Sequence, residues 1–178
     1  MRISNSCGAA AIGFMTASSE GQLRPGLWQT INERYPGSMI RKADRVMLSP
    51  LRVPLPRARL SFVSSAGVQL AGSLPFDVAH PIGDFSFRRV PTDSRSAELE
   101  IHQLKYPTDG AKRDLNVIFP LDRLRELVAG AEIGALTSSF FSFIGYNMDP
   151  LRFETHFAED LANAVESEEP DVVLLAPA

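Results

Sequence analysis

Cysteine is almost missing from this chain. Cys7 stands alone, so no intrachain disulfide can form and no cysteine cage can hold a metal. A reducing, cytoplasmic setting is the expectation, with no metal site. A dominant charge is missing too: 18 Lys and Arg stand against 21 Asp and Glu, a net charge of -3. The basic residues are scattered rather than striped, which argues against a nucleic-acid partner. No apolar run approaches the ~20 residues that a membrane helix requires. The patch from Gly8 to Ala17 behind Arg2 is too thinly basic and too weakly apolar to read as a signal peptide. What is present is an ordinary balance: 178 residues, 44% hydrophobic, with 12 Gly and 13 Pro. That fits one globular domain able to bury a core, preceded by an irregular leader.

Residues 1–25 are rich in Ser, Gly and Ala without a sustained period and read as a poorly ordered leader. Leu27, Trp28, Ile31 and Tyr35 share one helical face that Pro36-Gly37 ends, which predicts a short arm covering the domain or a partner. Leader and arm together occupy 1–48, and the compact domain spans 49–178. Pro50, Pro54 and Pro56 predict an extended lead-in. Leu60 to Ser65 is the first strand. Ala66-Gly67-Val68 then turns a corner, and Gly67 is either a plain tight turn or a place where the backbone approaches a ligand. Leu74 to Arg95 reads as a long charged loop, punctuated by Pro75, Pro81, Gly83 and Pro91 and packed down by Phe76, Phe85 and Phe87. Ala97 to His102 alternates in period two and reads as a second strand. His102 at its end is a candidate acid, base or ligand, weighed against a hydrogen-bonded structural histidine.

From Arg113 onward the pattern is turn, helix, strand, turn, helix, strand. Arg113, Asp114 and Asn116 suit a turn network that caps the next helix, and they are also candidates for holding a carboxylate or amine. Pro120 opens that helix, Leu121, Leu124, Leu127 and Val128 form its buried face, and Gly130 ends it. Ser139 to Tyr146 reads as a buried strand that ends at Gly145. Asp149 and Pro150 start a second helix whose core stripe is Phe153, Phe157, Leu161 and Val165, leaving His156 in water. The unbroken apolar run Val172 to Leu175 predicts a final strand at the centre of a parallel sheet covered on both faces. The fold class is therefore α/β: a three-layer, open, mainly parallel sheet with flanking helices and an irregular N-terminal arm. In such sheets ligands bind beyond the carboxyl ends of the strands. A dinucleotide-binding unit is disfavoured, because Ser64-Ser65-Ala66-Gly67 lacks the spaced glycines.

Several segments in order resemble the selenoprotein B family of the glycine, sarcosine, betaine and D-proline reductases. They are Ser49-Pro50-Leu51 to Leu55, Ala58-Arg59-Leu60 with Val63 to Val68, Gly83-Asp84 to Arg88, and Val90-Pro91 with Asp93. The fullest is Asp114 to Leu127, continued by Ile133 to Leu136, Ser142 to Gly145 and Asp171 to Leu175. The resemblance covers roughly residues 49–178. It implies reductive carbon–nitrogen cleavage of a small amino acid or amine that is activated on a pyruvoyl group carried by a partner subunit. In that family a selenocysteine or cysteine follows the last strand almost at once, and here the sequence stops at Ala178. The expectation is a chain truncated at a recoded UGA codon, or a natural short form, inactive alone because the nucleophile is absent. The resemblance leaves His102 as the candidate catalytic residue and Gly67, Arg113, Asp114, Asn116 and Gly145 as candidate substrate contacts. The contrasting expectation is a non-catalytic ligand-binding or assembly module of the same fold. An uncovered sheet edge further predicts a homo-oligomer.

Overall fold

A computed structural model describes residues 49–178 apart from Lys105. The expected leader and helical arm at 1–48, with Cys7, lie outside the described residues. The sheet is built around β1 (Arg59–Ser64), whose apolar Leu60-Ser61-Phe62-Val63 run suits a strand buried on both faces. Two short strands, β5 (Ala135–Leu136) and β6 (Ser139–Phe143), run parallel to β1 along one flank. They pair with its beginning and its end respectively. Thr137 and Ser138 separate them, and the Thr137 hydroxyl bridges the break by donating to the Ser139 carbonyl at 2.8 Å. On the opposite flank β7 (Val172–Ala176) runs parallel to β1 in register from Leu60↔Val172 to Ser64↔Ala176. Outermost beside β6 lies the antiparallel β3 (Phe87–Pro91). A separate antiparallel ribbon joins β2 (Val68–Leu70) to β4 (Leu99–Ile101).

Side-chain alternation along the strands divides the core in two. Leu60, Phe62 and Phe140 face α2 (Leu121–Ala129), which contributes Leu121 and Leu124. Phe62, Phe119 and Phe140 meet edge-on there, with centroids 5.3, 5.6 and 6.1 Å apart, and each fully buried ring stabilises the fold by about 1.5–3 kcal/mol. Val63 and Phe141 face the other way, against Val165 and Leu161. That layer is a helical run of α3 (Pro150–Arg152), a π turn (Phe153–Phe157) and α4 (Ala158–Glu166). Asp149 caps it by accepting from the Arg152 amide at 3.0 Å. The fold is the expected α/β arrangement of a mostly parallel sheet with helices on its faces.

Four expectations need correction. The Pro-rich lead-in contains a 3-10 turn at Leu55–Arg57. The supposed strand from Ala97 opens as a 3-10 turn, Ser96–Glu98, and β4 joins the ribbon rather than the main sheet. The long loop from Leu74 contains β3, which tolerates Pro91 because it is an edge strand at its end. Its aromatics do pack, Phe76 beneath the Arg88 guanidinium at 4.2 Å and Phe85 beneath that of Arg152 at 4.3 Å. Finally, β7 is not central to the sheet among the described residues. Among the described residues it pairs only with β1, and Leu175 is 70% exposed.

Candidate functional site

The carboxyl ends of β1, β6 and β7 meet at the corner Ser65-Ala66-Gly67. The Ser65 hydroxyl accepts from the Ala178 amide at 3.0 Å, past the end of β7. The Gly145 amide, past the end of β6, donates to the Ser65 carbonyl at 3.3 Å. The Gly67 amide donates to the Phe143 carbonyl at 2.9 Å, and the Gly67 carbonyl accepts from the His102 amide at 2.8 Å. The Tyr106 hydroxyl donates to the Ala66 carbonyl at 3.2 Å, and burial pushes the Tyr106 phenol up. Three of the candidates, Gly67, Gly145 and His102, thus gather at one edge.

Both glycines are required by close approach. Gly67 has φ +67, and a Cβ there would lie 2.3 Å from the His102 carbonyl oxygen and 2.6 Å from Ile144 Cδ1. One on Gly145 would lie 2.9 Å from Ser65 Cβ. The His102 ring is held by Glu100, with Nε2 2.9 Å from Oε1, and the same oxygen accepts from Gln69 Nε2 at 3.1 Å. The bond to His102 holds the Glu100 carboxyl below its usual range, helped by Gln69. An ionised carboxylate can only accept, so Nε2 donates to Glu100. Glu100 is the partner that sequence reasoning missed. The signal was the i−2 spacing, which sets alternate residues of an extended chain on one side.

Asp114 and Asn116 organise a different place. Asp114 Oδ1 accepts from the Asn116 amide at 3.0 Å and from Asn116 Nδ2 at 2.9 Å, contacts that hold the Asp114 carboxyl below its usual range. Asn116 Oδ1 in turn accepts from the Asp122 amide at 3.1 Å, so it caps α2, whose N-cap Pro120 offers no side-chain acceptor. The Ser96 hydroxyl at 2.6 Å completes the cluster by donating to Asp122 Oδ2, and it lowers the Asp122 carboxyl most. Arg113 ends α1 (Asp109–Arg113) and lines a cleft of about 490 Å³ together with Glu100 and Lys112. His156 is exposed, as expected of a residue off the helical stripe. Among the described residues no group of three or more His, Cys, Asp or Glu is placed to hold a metal ion. No described helix is long and apolar enough to cross a membrane.

The chain is similar to D-proline reductase subunit gamma of Acetoanaerobium sticklandii, with 29% identity over 127 residues, 71% of this chain and 51% of that protein. The chain therefore spans about half the length of this curated relative. No family model matches the chain, and no solved structure matches it. The similarity supports a relationship to the subunits of reductase complexes.

Proposed function

We propose that this domain is a selenoprotein-B-like subunit of a reductase complex that cleaves a carbon–nitrogen bond in a small amino acid or amine, in the cytoplasm. The observation that carries the reading is the meeting of Ser65, Gly67 and Gly145 at the carboxyl edge of parallel strands, with the His102 amide bonded to the Gly67 carbonyl, where α/β sheets bind ligands. The similarity to a D-proline reductase subunit supports a reductase reading. The Gly67 and Gly145 amides and the Ser65 hydroxyl are bonded within the edge and shape it, and the His102 ring, held by Glu100, is the polar side chain that would meet a substrate there. A pyruvoyl group presented by a partner subunit would activate the amine. Such a cleavage consumes two electrons and two protons, which a dithiol reductant would supply.

Saturation-transfer NMR with D-proline, glycine, sarcosine and betaine tests the reading. At least one of them should bind, and His102→Gln should weaken it about tenfold, the loss of one hydrogen bond to a charged group. If none binds at millimolar concentration, with or without the partner subunits, the reading is wrong.

A further inference from the structure

Strand β7 carries more apolar surface than the domain uses. Its side chains Val173 and Leu175 form one wall of a groove of about 550 Å³, whose apolar lining also includes Phe143, Phe157, Leu161 and Val165. Val173, Leu174 and Leu175 are 39%, 40% and 70% exposed, three consecutive apolar residues on an edge without a second neighbour among the described residues. Such an edge invites another strand. The Asp171 amide donates to the Arg59 carbonyl at 2.9 Å, toward β1. Main-chain direction alternates along a strand, so the amides of Val172, Leu174 and Ala176 point to the open side.

Charge decides what fits. On α4, Glu159 and Glu166 fall on the side of the groove-lining Ala162, and Glu169 follows in the turn before β7. None of the three has an ion-pair partner among the described residues. A second copy pairing antiparallel about Leu174 would set its own α4 beside this one, acidic rim against acidic rim. We propose that the open edge of β7 and the adjoining groove receive a β-strand of a partner chain, apolar at alternate positions and flanked by lysine or arginine. The added strand places its apolar side chains over Val173 and Leu175 and its basic flanks against Glu159 and Glu166.

The test uses the full chain and a fluorescein-labelled peptide of alternating valine and threonine with two lysines at each end, beside a version with glutamates in their place. The lysine peptide should bind saturably by anisotropy, at least tenfold more tightly than the glutamate peptide. Binding should slow hydrogen exchange at Val172, Leu174 and Ala176. Leu175→Lys should weaken it about tenfold, and the exposure of Leu175 makes this variant safe for folding. The double variant Glu159→Lys, Glu166→Lys should reverse the preference between the peptides. Equal binding of both peptides, or binding of neither, overturns the proposal. So does protection of the three amides in the free monomer, or a stable dimer of the chain alone that buries β7.

Discussion

Replacing Gly67 with alanine isolates the contact that holds the carboxyl edge together. At φ +67 an alanine costs about 1–2 kcal/mol for the left-handed conformation alone. Its methyl would also lie 2.3 Å from the His102 carbonyl oxygen and 2.6 Å from Ile144 Cδ1, and crowding a packed site costs a further 1–3 kcal/mol or so. The expected loss is about 2–5 kcal/mol. Gly72 provides the control: its φ is +78, yet nothing lies within 4 Å of a built Cβ, so Gly72→Ala should lose only the conformational part, about 1–2 kcal/mol. Urea unfolding followed by circular dichroism reads both. With a slope of about 2 kcal/mol/M, a 3 kcal/mol loss moves the midpoint down by roughly 1.5 M. If the two variants unfold within about 0.5 kcal/mol of each other, a resolvable margin by this method, the close approach of Gly67 to His102 is refuted.

Asn116→Ala should destabilise by about 1 kcal/mol in the same urea assay, because the α2 amides lose their cap; no change would mean that the cap is dispensable. Phe62→Ala should lose about 3–5 kcal/mol by opening the aromatic triad, and a loss under 1 kcal/mol would contradict that packing. Glu168 is buried; desolvation pushes its carboxyl up, but the Ser138 hydroxyl, the Ser139 amide and Arg89 together bring it below the usual range. Its folded pKa is depressed, so its contribution is fully present above the ordinary glutamate value of 4.5 and is lost as the pH falls below it. Glu168→Gln should cost about 2 kcal/mol at pH 7, and the difference from wild type should shrink in acid unfolding series; a constant difference down to pH 3 would contradict the linkage.

The elements set by local rules were legible. Pro120 and Gly130 bracket α2, Asp149 and Pro150 open the second helical layer, and the apolar runs of β1 and β6 mark the core. Placement was not. Val172-Val173-Leu174-Leu175 reads as a central strand because an apolar run looks the same with one neighbour or two. Phe87-Arg88-Arg89-Val90-Pro91 was hidden in the long loop, since an edge strand buries only Val90 here and shows no clear alternation. Gly67, Gly145 and His102 were legible as corners and strand ends, but their meeting is tertiary. The capping role of Asn116 followed from residue type, whereas its reach to Asp122 did not. The π turn at Phe153–Phe157 left no signal, because the apolar stripe continues through it.

The order of the strands also sets a schedule for biosynthesis. Among the described residues β1 is the earliest strand of the main sheet to leave the ribosome, and it lies between neighbours made much later, the last of them about 110 residues downstream. At roughly 5–20 residues per second, the nascent strand waits on the order of 5–20 s before its second flank is covered. During that interval Leu60, Phe62 and Val63 are available to chaperones, so the centre of the finished domain is also its most vulnerable segment while it is being made.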